Sequence, residues 1–546
     1  MMPSSLRTAL FSVGMLLSGT AGPARAVERV VGPGEAYAII QAALDAAVDG
    51  DVVTVRAGTY AESLATRAPG VTLRADPAGG EVVVTSDAGV LLVRHARVTV
   101  EGLVLDGNYG PDDAVVVDDA ATGFTLRRAT VRRSGRDCID LRNVSDVTIE
   151  QSLVHHCLWA SAPACAAEAC RSDAHGIVGG AVQNLVIRDT EIHTFSGDAF
   201  QVDPGRGTPS WTDVTIERCH IWLAPLAVAE GGYAAGVVPG ENSVDTKTPP
   251  SVAEPARIVI RDSVMSGFGS GLIGNMAAFN LKENVAALVE RVTVSGSEIA
   301  FRLRGATSSA PRGAQVTLRN VVVHDVAVAV RYENDIVPVR IENVTFGNGI
   351  TTAFVRASAP AGSIDAHNLL VLGAALPADA TGASNLAVGD VAFLSAAGDD
   401  YRLAGGSAAI DVGEMLAGVA VDRDGTARPQ GAAWDVGAYE ACSGAACAPG
   451  ADAGGPLADA GSPPTGDGGV ARVDAGGVGA GDAGPSSRDG GGAGAPEDAG
   501  CGCRVARGQG RLGGASTLAA VTLLGIAVVR VRARRRHRAR SSARVR

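Results

Sequence analysis

Between about residues 70 and 390 the hydrophobic positions fall in short β-branched runs, and a loose unit of roughly 20–30 residues repeats. Each unit opens with a run that holds a polar pair: TLRRATV (125–131), TIEQSLV (148–154), VIRDTEI (186–192), TIERCHI (215–221), VIRDSVM (259–265), LVERVTV (288–294) and TLRNVVV (317–323). It turns at Gly or Asp and closes with a second run: CIDLR (138–142), HGIVG (175–179), AFQVD (199–203), SVDTK (243–247), AFNLK (278–282), AFRLR (300–304) and AVAVR (327–331). Strands this short, joined by turns and lacking a helical period, predict an all-β fold. The expected architecture is a right-handed parallel β-helix solenoid over about residues 50–400. An amphipathic segment over 36–48 predicts a capping helix, because an uncovered coil exposes apolar surface and unpaired strand edges.

Alternation sets the facing of the second run. Ile139/Leu141, Phe200/Val202, Phe279/Leu281, Phe301/Leu303 and Val328/Val330 point inward, so the first, third and fifth positions point out. Stacked coils then build columns. The third position reads Asp140, Ile177, Gln201, Asp245, Asn280, Arg302, Ala329, and the fifth reads Arg142, Gly179, Asp203, Lys247, Lys282, Arg304, Arg331. This predicts a row of four cations, Lys247, Lys282, Arg304 and Arg331, with Arg302 beside it, on coils about 4.8 Å apart. Like charges placed opposite one another cost on the order of 1–3 kcal/mol per pair before screening. A solenoid can alternate signs instead, so stacked cations point to an anionic ligand.

Composition sharpens this. The chain has two lysines against 45 arginines, and both lysines fall in that column. Arginine keeps its proton, whereas a lysine crowded by cations can lose it and act as a general base. Lys282 and Lys247 are therefore candidate bases, with Arg302 and Arg304 to stabilise charge and Arg331, Gln201, Asn280 and His175 to line the substrate. The plainer alternative is a solvated basic face. Asp137, Asp140, Asp173, Asp198, Asp203, Glu241 and Asp245 lie in or beside successive second runs. Such a set could hold Ca²⁺, for which Asp203, Glu241, Asn242 and Asp245 are the candidate ligands, or it could serve ordinary turn chemistry. His155, His156, His193 and His220 lie on the first run and read as structural. The long segments 158–172, 204–212, 223–241, 248–256 and 306–313 interrupt these coils, where a rigid solenoid builds binding walls. Trp159, Trp211, Trp222 and Tyr233, in or beside them, either stack on sugar rings or pack against the coil.

The ends read differently. Residues 1–26 carry Arg7, an apolar run and an Ala24-Arg25-Ala26 site, the layout of a secretory signal. The β-helix is expected over 27–440 and a disordered Gly/Ala/Asp/Pro-rich stalk over 441–500. An apolar stretch at 512–529 is long enough for a transmembrane helix, and the arginines after it would stay cytoplasmic, so the bulk lies outside. Without the nine arginines of 530–546 the formal charge moves from −11 to −20, which argues against a nucleic-acid partner. Nine cysteines fit an oxidising compartment; Cys165/Cys170 and Cys442/Cys447 are spaced for local loops, and Cys138, Cys157 and Cys219 leave one over. Nothing argues for more than a monomer.

Four resemblances add to this reading. Cys501-Gly502-Cys503, the 512–529 stretch and RVRARRRHRAR resemble the MYXO-CTERM sorting signal over residues 501–546, which implies surface anchoring with processing near Cys501. YRLAGGSAAIDVG (401–413) and VDRDGTARPQGAAWDVGAYE (421–440) resemble the closing segment of secreted, pectate-lyase-like β-helix proteins. Lys282 with Arg302 or Arg304 looks like the Lys/Arg pair of β-helix polysaccharide lyases, which implies an acidic polysaccharide substrate, β-elimination and often Ca²⁺. A weaker likeness is to polygalacturonase-type hydrolases, through Asp137-Cys138-Ile139, His175-Gly176 and Lys247, although only one Asp stands where that family has two. The third possibility is a surface β-helix that binds anionic glycans without turnover.

Overall fold

The computed structural model describes residues 26–202, 210–247, 254–307, 312–333, 336, 338–357 and 364–442. Residues 1–25 of the expected signal, the stalk beyond residue 442 and the 512–529 span lie outside these, and no helix among the described residues is long and apolar enough to cross a membrane.

Each coil has three strands rather than two. Sheet 1 runs in 14 strands from Glu28–Val31 to Thr381–Ala383, sheet 2 in 13 from Gly58–Ala61 to Leu386–Val388, and sheet 3 in 11 from Leu64–Ala65 to Thr352–Arg356. Neighbours within all three sheets are parallel, as a stacked coil requires. The run that reads as one from sequence bends in its middle. Thr125–Arg127 belongs to sheet 1 and Thr130–Ser134 to sheet 2, with Arg128 at φ 49° between them. Gln151, Asp189, Arg218, Asp262, Arg291, Asn320, Asn343 and Asn368 hold the same left-handed conformation one coil after another. A residue there cannot continue a strand, and Asn and Asp tolerate it best, which explains the second member of the polar pair.

The core is a continuous column of Val, Ile, Leu and Phe from all three sheets. Phe279 and Phe301 stack in it at 5.0 Å and 7°. At the N-terminal end the helix α1 is shorter than the sequence suggests, Ile40–Ala46. It buries Ile40, Ala43 and Leu44, and the Glu62 carboxylate accepts the free N–H groups of Ile40 and Gln41 at 2.8 and 2.9 Å. The other end is closed by a second apolar cluster around Phe393, Tyr401 and Val436, with the Arg428–Glu440 ion pair fully buried at 2.8 Å. Disulfides join Cys138 to Cys157 and Cys165 to Cys170, and Cys219 is free and buried. Cys447, the expected partner of Cys442, lies outside the described residues.

The outward column of sheet 1 alternates in sign without a break: Arg74, Glu101, Arg127, Glu150, Arg188, Glu217, Arg261, Glu290, Arg319, Glu342. Arg127 reaches Glu101 at 2.6 Å, Arg188 reaches Glu150 at 2.5 Å, and Arg319 reaches Glu342 at 2.8 Å. This is the arrangement parallel stacking favours when an exposed column carries charge.

Candidate functional site

Each strand of sheet 3 obeys one short rule: a small residue at the corner, an inward apolar residue, one outward residue, and a second inward one. Ala199-Phe200-Gln201-Val202, Ala278-Phe279-Asn280-Leu281, Ala300-Phe301-Arg302-Leu303 and Ala329-Val330-Arg331-Tyr332 all follow it, with Phe200, Phe279, Phe301 and Val330 in the core. The paired outward residues are Asp140, Val178, Gln201, Asp245, Asn280, Arg302 and Arg331.

Two coils thus differ from the columns expected from sequence. Val178, not Ile177, takes the outward place, and Arg331 pairs with Arg302 where Ala329 was expected. The cause is the small residue at the corner. Gly176 sits where a Cβ would come within 2.6 Å of the Ala199 carbonyl oxygen, and Ala329 is fully buried at the equivalent corner. The small residue therefore marks the register: counting from Gly176 recovers its coil, whereas in AVAVR both Ala327 and Ala329 are small and the structure puts the second at the corner. As a result the four-cation row does not form. Following Lys247, Lys282 and Arg304, the next place in that column falls to Glu333, whose carboxylate lies 2.9 Å from Arg304 Nε.

The lysines are also not crowded by cations alone. Lys282 Nζ lies 2.7 and 2.8 Å from the two carboxylate oxygens of Asp245, and Lys247 Nζ lies 3.5 Å from the second. Both lysines of the chain therefore converge on one buried carboxylate. Beyond them the column turns basic. Arg302 is half-buried, and among the described residues its Nε has no hydrogen-bond partner; neither does Asn280 Oδ1 one coil below. Burial first, then Arg304 and Arg331, depress the Arg302 pKa. Arg331 donates to Asn275 Oδ1 at 3.3 Å. A buried donor left without a partner costs about 1–3 kcal/mol.

The acidic residues mostly belong to a different feature. Asp113, Asp137, His175, Asp198 and Asn242 stack at the corner entering sheet 3, two places before the inward residue. Each side chain accepts the backbone N–H of its counterpart in the next coil: Asp137 to Asp113 at 3.2 Å, His175 to Asp137 at 2.9 Å, Asp198 to His175 Nδ1 at 2.8 Å, Asn242 to Asp198 at 3.2 Å, and Ala277 to Asn242 at 3.2 Å. For Asp137 and Asp198 the turn reading holds, and His175 is a rung of this ladder. Burial, then Asp245, pushes Asp198 up to about 7; burial, then Asp137, does the same for Asp113, and burial, then Asp198, for Glu241.

These residues do not fit a calcium ion, which needs six to eight oxygens. Asn242 spends its amide on Asp198 and Ala277, Glu241 is held by Arg171 at 2.8 Å, and Asp245 is covered by two ammonium groups. Asp203 lies outside the described residues. A separate acidic cluster at the closing segment, His324, Asp325 and Asp399, brings one ligand atom from each to within 4.8 Å of the others.

One wall beside sheet 3 is described. Trp159–Ala160 and Arg171–Ser172 pair antiparallel, stapled by Cys165–Cys170, and Leu158, Cys165, Leu226 and Tyr233 form a small core of their own. Of the four aromatic residues considered for stacking, Trp211 and Tyr233 are buried, Trp222 packs on a histidine, and Trp159 is 50% exposed. Segments 203–209, 248–253 and 308–311 lie outside the described residues.

No family model and no curated protein matches the chain. Among solved structures it is similar to pectate lyase Pel9A, at 14% identity and TM-score 0.45, covering 76% of this chain and 96% of that one. It is also similar to an alginate lyase from Paenibacillus, at 16% and 0.33 over 59% and 94%, and to the Dettilon tailspike protein, at 12% and 0.38 over 56% and 62%. These likenesses concern the β-helix fold; the chemistry must come from this chain's own residues.

Proposed function

We propose that the outer face of sheet 3 binds an acidic polysaccharide and cleaves it by β-elimination next to a uronate. The observation that carries this is the Arg302–Arg331 stack. A solenoid that alternates sign perfectly on sheet 1 places two guanidinium groups on adjacent coils here, with Arg302 Nε unsatisfied. A carboxylate bound between them would supply the missing acceptor in the bidentate geometry guanidinium groups favour.

In this reading Arg302 and Arg331 hold the uronate carboxylate and stabilise the enolate-like charge that develops once the adjacent carbon loses its proton. Lys282, one coil below, is the candidate group to take up that proton, and Asp245 fixes its position. Lys247 stands on the far side of the same carboxylate as the rival base. The chain's termini extend the proposal to an exported protein held at the cell surface.

Purified full-length protein, incubated with a panel of uronic-acid polymers, should release product absorbing in the ultraviolet from its new double bond. Chelator should leave the rate unchanged, since Glu241, Asn242 and Asp245 are already engaged within the protein. A second reading rests on the engagement of Lys282 with Asp245: a groove that binds anionic glycan without turnover. Salt-sensitive binding with no product from any polymer would establish that reading in place of the first.

A further inference from the structure

A carboxylate held by Arg302 and Arg331 leaves one atom of sheet 3 unmet, the amide oxygen of Asn280. Asn280 and Arg302 are paired neighbours in the outward column. Asn280 is 6% exposed, and among the described residues neither its Oδ1 nor Arg302 Nε has a hydrogen-bond partner. The flanking places differ: Asp245 on one side is met by both lysines, and Arg331 on the other donates to Asn275. A buried acceptor thus stands one coil from a buried donor, and the two do not bond.

Sheet 1 shows what this spacing allows. Arg127 Nε reaches Glu101 on the coil before at 2.9 Å, Arg188 Nε reaches Glu150 at 2.9 Å, and Arg261 Nε reaches Glu217 at 2.8 Å. Glutamate is one methylene longer than asparagine, and that length closes the gap between coils about 4.8 Å apart. At Asn280 the shorter side chain leaves donor and acceptor apart on the same outer face. Buried polar groups are almost all paired, so two unpaired atoms on consecutive coils mark a place where a ligand completes the bonds. An ionised carboxylate can satisfy only the arginine, because it accepts and cannot donate. The amide oxygen needs a donor, and a uronate ring carries hydroxyls.

We propose that Asn280 accepts a hydrogen bond from a free ring hydroxyl of the uronate whose carboxylate Arg302 and Arg331 hold, which makes it a specificity residue for uronic-acid polymers with unsubstituted hydroxyls. This rests on the binding role proposed for sheet 3. A pyranose ring is about as wide as one coil is tall, so a ring anchored at Arg302 extends back to Asn280. An ester on that hydroxyl removes the donor, and a site built to bond a hydroxyl discriminates against a group that cannot donate.

Binding is measured with the full chain carrying Lys282→Ala, so that polymer is not consumed, against polygalacturonate, alginate and glucuronan, each with free and with O-acetylated hydroxyls. The free form should bind roughly 10–100-fold more tightly than its acetylated form. Asn280→Leu, which keeps the shape of the side chain and removes the acceptor, should erase that preference by weakening the free form. Asn280→Gln supplies the missing methylene. It should reach Arg302 Nε as the glutamates of sheet 1 do, raising the melting temperature while lowering affinity for the free polymer. A purely structural asparagine would not move stability and affinity in opposite directions. A wild-type binding site indifferent to acetylation, a preference unchanged in Asn280→Leu, or an Asn280→Gln variant with full affinity would overturn the assignment and leave the polysaccharide reading intact. Failure of every polymer to bind, in either form, would overturn that reading and this one with it.

Discussion

On sheet 1, every arginine from Arg127 to Arg319 in the outward column has a glutamate on the coil before and the coil after. On sheet 3, Arg302 lies between Asn280 and Arg331, and both lysines gather at Asp245. The same coils make both surfaces, so backbone spacing cannot explain the difference. Sheet 1 arranges charge to stabilise the stack. Sheet 3 accepts local repulsion and a guanidinium nitrogen without a partner among the described residues, which the proposed anionic ligand would relieve.

The sharpest test of that contrast is chemical. Lys282→Ala should fold and still bind polymer, yet lose about 10²–10⁴-fold in elimination rate, followed by ultraviolet absorbance. Lys247→Ala should cost less, because Lys247 lies farther from the shared carboxylate. Next in size, Arg302→Glu should remove most of the affinity for acidic polymer and flatten its salt dependence in a binding titration, while Arg261→Glu on sheet 1 should leave both untouched. If the two charge reversals weaken polymer binding equally, sheet 3 is not the binding surface.

Stability should respond the other way round. Arg261→Glu sets three glutamates in line with Glu217 and Glu290 and should cost about 1 kcal/mol in denaturant unfolding. Arg302→Gln relieves repulsion and should be neutral or slightly stabilising. A separate effect concerns pH. Asp113, Asp198 and Glu241 have folded-state values near 7, against about 4 in the unfolded chain. The folded state therefore holds more protons between those limits, and their contribution to stability is present below about 4 and lost as pH rises through 7. Asp198→Asn, which keeps an acceptor for Asn242, should make the melting temperature less dependent on pH across that window.

Much of the fold was legible because a solenoid writes itself in local repeats: the runs, four of the five inward pairs and the N-terminal helix are all neighbour-to-neighbour features, while the fifth pair is Val330/Tyr332 rather than Val328/Val330. The third strand per coil was hidden because Arg128 and its counterparts turn the chain without Gly or Pro to mark the corner. The site was legible in composition and blurred in register. Lys247, Lys282, Asp245, Asn280 and Arg302 were placed correctly, since their coils share the same small-apolar-polar-apolar order. HGIVG and AVAVR contain several apolar residues that alternate equally well in more than one frame; the corner glycine distinguishes the frames of the first, whereas the second offers two alanines for the corner. The contact between Asp245 and the two lysines depends on side chains from adjacent coils leaning toward one another, which alternation along a strand does not encode.

The unbroken sign alternation on sheet 1 also behaves as a parity check on the length of the molecule. Removing one coil would bring like charges together at the seam, for example Arg127 against Arg188, whereas removing two would rejoin Arg127 to Glu217 and restore every pair. The molecule can therefore grow or shrink without electrostatic penalty on that face only by even numbers of turns, so that coils are gained and lost in couples.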